Sequence, residues 1–380
     1  MSSKIEIVIL SDPDYYPPTI HAANILAERG HKVTLIGIKY PVAQKQQLNS
    51  SIKRIDYGSH RKGLMNVLQY FSFYIWYFFH LLRNRPDWII AYDAMSVGPV
   101  AMNAKLLNVK FLFHSHDLLQ NPTGWYKLIG WIEKKFAKKA NVVSFPQEDR
   151  AVDFSAKAKL SSDPIIVYNG PRMSWSEKNY LPHPQIADWK KNRKFIVLYQ
   201  GQFSKYFNLD KLIASFEKVN PAAVLVMIGR ELEPGIIDNY QKIISEKTLS
   251  DRIKILQSLP YDEVPSVTKF ANLGVAKLVM NKDTPANDYF LTGASNKVSE
   301  YLSFGLPVLM ADTSVNREFY SKHNCAIFAD GESASSIANA INSIIDAQAY
   351  EPIQKGAAAA GKTVFNYDTQ FQKVVDIIEA

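Results

Sequence analysis

The chain has 380 residues, of which 47% are hydrophobic and 21% charged. This composition is that of a folded globular protein, and the length predicts two domains rather than a single core. The only cysteine, Cys325, excludes an intrachain disulfide and a cysteine-rich zinc site, and it favours a reducing cytosol. The net charge of +8 indicates an anionic partner, but no zinc-finger, RNP or basic-zipper pattern supports nucleic acid.

The first half of the chain alternates short apolar runs with helical patterns, which is typical of a parallel sheet covered by helices. We expect helices at 20–29 and 99–107, the second beginning at its proline. The start of the chain lacks the apolar length of a signal peptide, so we expect no export. The predicted strands are residues 5–10, 32–37, 88–91, 110–114, 141–145 and 165–168.

Two polar segments follow strands of this half, where a doubly wound sheet binds its ligands. The turn-rich residues 11–18 follow the first strand, without the G-x-G-x-x-G of a dinucleotide site. His116 and Asp117 follow the strand at 110–114. Alternatively, His114 and His116 only satisfy hydrogen bonds within the loop.

The stretch 64–82 is rich in aromatic residues and carries no charge. It barely reaches membrane-spanning length and contains several polar residues, so a buried crossover helix is the favoured interpretation. A helix lying in the membrane interface is the middle option. The basic helix at 131–140 is either a solvated face or a contact with anionic lipid.

The strand and helix alternation restarts at residue 195, after a polar stretch that we interpret as a linker. The expected organisation is a domain at 1–171, a linker at 172–194, a domain at 195–362 and a C-terminal helix at 363–380. Strands are predicted at 195–199, 223–228, 253–256, 273–275, 308–311 and 326–328, and helices at 209–218, 236–245, 263–270, 298–304, 334–345 and 368–378.

The segment 292–310 is the strongest candidate for the chemistry. It predicts a loop, a short helix and a buried strand, and small residues let a backbone approach a diphosphate at the helix N-terminus. Lys297 lies in the first turn, where a bound anion best explains a cation. Glu300, one turn later, can accept hydrogen bonds from a ribose diol. The loop itself is Thr292, Gly293, Ala294, Ser295 and Asn296. An ordinary helix and strand joined by a Gly-Pro turn is the alternative.

Other loops of the second half follow strands and converge on one edge of the predicted sheet. Lys205 can face the same crevice as Lys297, so that two lysines straddle one diphosphate. A nucleobase can lie on the third of these loops. The candidate residues are Gly201 and Gln202, then Gly229 and Arg230, and then Gln257, Ser258 and Leu259.

Four features together resemble the retaining GT-B glycosyltransferases of glycosyltransferase family 4. These are the two Rossmann-like halves, His116-Asp117, Asn169-Gly170 and the pattern from Asn296-Lys297 through Glu300 to Pro307-Val308. The resemblance covers nearly the whole chain. It implies an α/β fold of two doubly wound parallel-sheet domains facing across a cleft, with the C-terminal helix packing back on the N-terminal domain.

The resemblance also implies roles for residues. Glu300 would hold the nucleotide ribose, and the loop before it would bind the diphosphate and sugar. His116 would lie near the transferred sugar, and the first loop would help to bind the acceptor. The expected catalytic residues are His116, Lys205 and Lys297, and the expected acceptor residues are Asp12, Tyr15, Tyr16, Thr19 and Asp117.

The chain departs from the family pattern at three positions. Thr292 replaces the first of two paired glutamates, and Gln202 and Phe207 replace the arginine and lysine that grip the diphosphate. Lys205 and Lys297 would substitute for them. We therefore interpret the chain as a subgroup of the family that retains transferase activity.

The expected reaction moves a sugar from a nucleotide diphosphate sugar to an acceptor hydroxyl with retention, without a cofactor or metal. The acceptor would be a glycan or a lipid-linked molecule, and the protein would be cytoplasmic, on the inner face of an anionic membrane. The alternatives are a sugar-nucleotide epimerase of the same shape and a non-catalytic nucleotide-sugar-binding partner subunit.

Overall fold

The computed structural model of the protein describes residues 2–41, 45–117, 119, 122–279 and 293–380. The chain divides into two compact units. In the described part, unit 1 contains residues 2–169, 293–294 and 367–380, and unit 2 contains residues 170–279 and 295–366.

Unit 1 is built on a seven-stranded parallel sheet in the order β3-β2-β1-β4-β5-β6-β7. Its central strands are almost continuous apolar runs because helices cover both faces. The strands are β1 (Lys4–Ile9), β2 (Lys32–Lys39), β3 (Lys53–Ser59), β4 (Trp88–Tyr92), β5 (Lys110–His114), β6 (Val142–Phe145) and β7 (Ile165–Ile166).

The helices of unit 1 form two layers on this sheet. One layer includes α2, α3, α4 and α5, and the other includes α1 and the C-terminal helix. The helices in the first 169 residues are α1 (Pro17–Glu28), α2 (Leu64–Asn84), α3 (Asp93–Leu107), α4 (Tyr126–Ala137) and α5 (Glu148–Ala158).

Strand β3 and the start of α3 differ from the expectation for this half. Strand β3 was not predicted, because an edge strand with a polar, half-exposed sequence lacks the apolar signal of a buried strand. The helix expected to begin at Pro99 begins six residues earlier, and Pro99 lies inside it. The helix starts directly after β4, so local proline preference does not set its first turn.

Unit 2 repeats the same arrangement with six parallel strands in the order β10-β9-β8-β11-β12-β13. Each predicted strand is present to within one residue at either end. The strands are β8 (Phe195–Gln200), β9 (Ala223–Gly229), β10 (Ile253–Gln257), β11 (Leu273–Val275), β12 (Val308–Ala311) and β13 (Ala326–Ala329).

The stretch expected as a linker contains two helices, and its side chains Trp175, Ile186 and Trp189 are buried in unit 2. The helices of this unit are α6 (Met173–Glu177), α7 (Pro184–Lys191), α8 (Leu209–Ser215), α9 (Ile236–Glu246), α10 (Pro265–Thr268), α11 (Asn296–Ser303), α12 (Ser314–Ser321), α13 (Ala334–Asn342) and α14 (Ala347–Thr363).

The C-terminal helix α15 (Tyr367–Glu379) belongs to unit 1 and packs against α1. Its apolar face enters the core between α1 and the sheet, and the Tyr367 hydroxyl lies 3.1 Å from that of Tyr92. No helix of the described residues has the length and hydropathy needed to cross a bilayer.

Candidate functional site

In each sheet the order in which successive strands are added reverses at one point. This point lies between β1 and β4 in unit 1 and between β8 and β11 in unit 2. At such a switch point the loops on either side turn to opposite faces of the sheet and leave a crevice for a ligand. The candidate residues are therefore described for each unit in turn.

In unit 2, Glu300 is buried on the second turn of α11. Its carboxylate accepts a hydrogen bond from the Gln200 side chain, at the end of β8, and another from the Tyr261 hydroxyl. Gln200 is itself held by the Thr268 hydroxyl, which donates to its amide oxygen over 3.1 Å. A carboxylate held this way at the switch point is placed to accept hydrogen bonds from a sugar diol.

Burial raises the pKa of Glu300 to about 7. The hydrogen bonds from Gln200 and Tyr261 and the charge of Lys297 act in the opposite direction and limit the rise. The carboxyl therefore changes its charge near neutral pH.

Lys297 lies over the end of β8, where two glycines make room for it. A methyl group on Gly201 would lie 2.6 Å from the Lys297 Nζ, and one on Gly229 would lie 1.5 Å from the Gly201 carbonyl oxygen. The Nζ also lies 5.0 Å from the centre of the Tyr199 ring. The glycines thus let two strand ends and a cation meet, an arrangement that can bind an anionic group.

The other predicted donor residues of unit 2 lie farther along the same loops. Lys205 is exposed in a 3-10 turn, with its Nζ 5.3 Å from the centre of the Tyr206 ring. Gln202 accepts a hydrogen bond from Tyr199 at its carbonyl, and Arg230 accepts one from the Phe203 amide. Gln257 ends β10, and Ser258 and Leu259 follow it, with Gln257 and Ser258 exposed.

Sequence reasoning missed three side chains around Glu300, namely Gln200, Tyr261 and Trp175. Trp175 stacks on Tyr261 with ring centres 5.3 Å apart, and so supports the hydroxyl that reaches Glu300. Tyr261 stands two residues after the predicted loop at 257–259, and that proximity was the available signal. Trp175 gave no such signal, because its stretch was interpreted as a linker.

In unit 1, His116 is buried in the loop after β5. One Asp93 carboxylate oxygen accepts hydrogen bonds from the backbone amides of His116 and Asp117, at 2.8 and 3.0 Å. The Arg150 guanidinium donates to the His116 carbonyl over 2.6 Å. Asp93 adopts a left-handed backbone conformation (φ 65°), which brings its carboxylate to this loop.

Burial shifts the pKa values of three ionisable groups around this loop. It raises the pKa of Asp93 to about 7, helped by the charge of Asp117, and that of Glu133 to about 8, helped by Asp93. It lowers the pKa of His116, so its ring is neutral at pH 7. The Nδ1 atom of that ring is buried and has no hydrogen-bond partner among the described residues.

A cavity of about 200 Å³ opens at the carboxyl ends of β1, β2 and β4. Tyr16 and Asp93 line it, and His60, Arg61 and Gln69 contribute polar groups. The rings of Tyr16 and His116 are nearly perpendicular, with centres 5.7 Å apart. Tyr16 therefore contacts both the cavity and the histidine.

The structure separates the other predicted acceptor residues into buried and exposed ones. Asp12 is buried and accepts hydrogen bonds from the amides of Asp14 and Tyr40 and from Arg54. Thr19 is also buried, and its hydroxyl donates to the Tyr16 carbonyl. These two residues hold the loop together, whereas Tyr15 and Asp117 are exposed.

The predicted diphosphate loop is described from Gly293 onwards, and Thr292 lies outside the described residues. Asn169 donates from its backbone amide to the Gly293 carbonyl and from its side chain to the Ala294 carbonyl, both over 2.9 Å. This contact gives the Asn169-Gly170 motif a structural role. Ser295 precedes the first residue of α11, Asn296.

Residues 184–362 match the family of glycosyl transferases group 1, and residues 19–171 match glycosyltransferase family 4. No curated protein matches the chain significantly.

Solved structures match the whole chain at low identity. HepE from Anabaena, solved in complex with UDP, is 15% identical with a TM-score of 0.72 and covers 99% of both chains. Sucrose-phosphate synthase from Thermosynechococcus elongatus is 14% identical with a TM-score of 0.72, covering 99% of this chain and 98% of that one. A protein assigned as a UDP-N-acetylglucosamine 2-epimerase in Listeria monocytogenes is 13% identical with a TM-score of 0.66, covering 100% and 96%. By its two family matches and its GT-B fold, the chain belongs to the glycosyltransferases of group 1 and family 4.

Proposed function

We propose that the protein transfers a sugar from a nucleotide diphosphate sugar to an acceptor hydroxyl with retention of the anomeric configuration. The observation that carries this proposal is the arrangement at the end of β8, where Glu300 is held by Gln200 and Lys297 lies over Gly201. Lys297, which can bind an anion, and Glu300, which can accept hydrogen bonds from a diol, thus lie one helical turn apart on α11.

Donor binding in unit 2 follows from these groups. Glu300 accepts hydrogen bonds from the two ribose hydroxyls and gives up its contacts with Gln200 and Tyr261 in exchange. Lys297 and the first amides of α11 bind the diphosphate. The complexes of HepE with UDP and with UDP-glucose support a nucleotide diphosphate sugar as the donor.

The chemical step places growing negative charge on the diphosphate as the glycosidic bond to it breaks. Lys297 stabilises this charge, and Lys205 reaches the same group when its exposed side chain swings from Tyr206. The acceptor hydroxyl attacks the anomeric carbon and loses its proton to the leaving diphosphate. The step uses no protein nucleophile and no metal.

Acceptor binding is assigned to unit 1. Neutral His116 lies beside Tyr16, and the 200 Å³ cavity gives an acceptor hydroxyl polar partners in His60, Arg61 and Gln69. The acceptor is a glycan or a lipid-linked molecule, and the protein works at the cytoplasmic face of a membrane.

Mass spectrometry of the purified protein incubated with a panel of nucleotide diphosphate sugars tests the proposal. We expect slow release of the nucleotide diphosphate without acceptor, and faster release with a glycoside acceptor. Proton NMR of the product should give the anomeric configuration of the donor. An inverted product contradicts the retaining mechanism, and absence of release with every donor contradicts the transferase.

A sugar-nucleotide epimerase is the second candidate, because Asp93 and Glu133 supply protonatable groups near neutral pH close to His116 and the Listeria protein shares the fold. The same incubation distinguishes it, since an epimerase yields an isomerised donor without any acceptor.

A further inference from the structure

Helix α2 has two apolar faces, and only one of them is covered by unit 1. Tyr70, Phe73, Tyr77 and Leu81 enter the core. The opposite face repeats every three or four residues and is also apolar, with side chains that are 38–74% exposed. These side chains are Leu64, Leu68, Phe71, Ile75, Phe79 and Leu82.

The apolar surface continues onto the neighbouring helices. Helix α3 packs between α2 and α4 in the same layer of the unit, and it exposes Met102 and Leu106. Helix α4 exposes Leu128 and Trp131. We call these four side chains and the six on α2 the α2–α4 surface.

This surface is unusual within the molecule. Of the eighteen large hydrophobic side chains exposed among the described residues, twelve lie on these three helices. Half-exposed side chains of this size present on the order of 1,000 Å² of largely apolar area, against the few hundred that a monomer normally leaves to water. The α2–α4 surface therefore requires a partner.

Charge identifies the partner. The three helices contain two acidic residues, of which Glu133 is buried and Asp93 lies by the cavity, so their exposed charges are basic. Lys135 lies 4.4 Å from the Trp131 ring. The pKa of Lys139 is lowered by slight burial and by the positive charges of Lys105, Lys135 and Lys138. An anionic surface relieves this crowding of positive charge, whereas a second copy of the chain brings the same lysines again.

We propose that the α2–α4 surface binds the interfacial region of an anionic membrane. From Leu64 to Leu82 the exposed face of α2 is about 27 Å long, enough for its side chains to insert along the plane of the bilayer. The lysines at the end of α4 contact the lipid headgroups. This inference rests on the membrane location in the proposed function and deepens it, because it names the surface that binds lipid, and binding to lipid can be measured without donor or acceptor.

Vesicle co-sedimentation of the full chain tests the inference, with phosphatidylcholine alone or mixed with phosphatidylglycerol. We expect binding to the mixed vesicles at low salt and much weaker binding at high salt or to the neutral vesicles. Each lysine near an anionic surface contributes roughly fivefold to binding, so Lys138→Glu with Lys139→Glu should weaken it by roughly 30-fold or more. The control, Lys190→Glu with Lys191→Glu, changes two adjacent exposed lysines at the C-terminal end of α7 in unit 2 and should bind normally.

A second variant tests the apolar contribution. Phe71→Ser, Ile75→Ser and Phe79→Ser together should abolish binding while circular dichroism and Tm stay unchanged, because the three side chains are exposed. The control is Leu181→Ser with Leu232→Ser, two exposed leucines in unit 2. The inference is overturned if the wild-type protein stays in the supernatant with anionic vesicles at low salt. It is equally overturned if the α2 variant binds normally, or if the surface mediates self-association in sedimentation velocity without binding vesicles.

Discussion

The charge of Glu300 should control nucleotide binding near neutral pH. Burial raises the pKa of its carboxyl to about 7, so the protonated form dominates below that pH and accepts weaker hydrogen bonds from a diol. We expect the affinity for UDP to fall by up to about tenfold per pH unit below 7. In Glu300→Gln this pH-dependent fall in affinity should be absent, and binding of UDP at high pH should be roughly 10- to 150-fold weaker than in the wild type.

Isothermal titration calorimetry between about pH 5.5 and 8.5 measures this difference. The titration of UDP itself is common to both proteins and cancels in the comparison. Glu263→Gln, an exposed carboxylate of the same unit, is the control and should follow the wild type. Parallel curves for wild type and Glu300→Gln would remove Glu300 from the binding site.

Lys297 and Lys205 should differ in their contributions to rate. Lys297 lies over the end of β8, whereas Lys205 is exposed. An interaction that strengthens in the transition state acts on kcat, so we expect Lys297→Ala to lower kcat roughly 10²- to 10³-fold and Lys205→Ala to lower it less. Steady-state kinetics measures both, with the surface variant Lys247→Ala as the control. A raised donor KM with kcat intact would make these lysines anchors rather than catalytic residues.

At the scale of elements, the ends of β8 and β9 depend on two glycines in different ways. A methyl group at Gly229 overlaps the Gly201 carbonyl oxygen, which belongs to the neighbouring strand end and cannot move. We expect Gly229→Ala to destabilise the protein by about 3 kcal/mol or more. A methyl group at Gly201 meets the end of the Lys297 side chain, which can move, so Gly201→Ala should displace Lys297 and lower kcat. The φ of +154° at Gly201 adds backbone strain of about 1–3 kcal/mol, so this variant should also lose stability, but less than Gly229→Ala.

Thermal unfolding and kinetics of the two variants test this contrast. Gly130→Ala is the control, because its nearest neighbour would be 3.4 Å away, and it should retain both properties. Equal loss of stability and rate in the two variants would contradict the separate roles.

Element by element, the sequence predicted what local patterns encode. The buried strands of unit 2 were located to within a residue, because a parallel strand covered on both faces is a continuous apolar run. Helices α5, α12 and α14 were missed, since their sequences are more polar or contain proline and glycine. The helices at 172–194 were missed for the same reason.

The residues of the candidate site also divide into those that a local pattern predicts and those that it does not. Lys297 and Glu300 could be predicted because a helix places them one turn apart and next to a loop. Asp93, Gln200 and Tyr261 could not, because parallel strands and loops distant in sequence bring them to their partners. Their roles follow from the strand order, which no local pattern specifies.

At the scale of the whole molecule, the two units should respond separately to pH. Each has its own hydrophobic core, so we expect two calorimetric transitions. Glu133 in unit 1 and Glu300 in unit 2 have raised pKa values of about 8 and 7. Between the ordinary carboxyl pKa and these values only the folded form holds the proton, so stability is lost as pH rises, by about 1.4 kcal/mol per unit and group.

Differential scanning calorimetry between about pH 5 and 8 checks this expectation. Glu133→Gln should reduce the pH dependence of one transition, leaving the contribution of Asp93, and Glu300→Gln should flatten that of the other. Asp251→Asn, an exposed acid, should leave both unchanged. A shift of both transitions by either variant would show that the units unfold together.

The position of α15 has a consequence for the order in which the chain can fold. The helix supplies Tyr367, Phe371, Val374, Val375 and Ile378 to a core whose remaining residues lie in the first 167 positions. On the ribosome, unit 1 therefore waits for about 200 further residues before its last side chains are synthesised, whereas the last residue of unit 2 is Asn366, which precedes α15. Unit 2 is synthesised second but is the first to have all its core residues. A chaperone that binds the nascent chain therefore has the largest exposed apolar surface to cover on the face of unit 1 against which α15 packs.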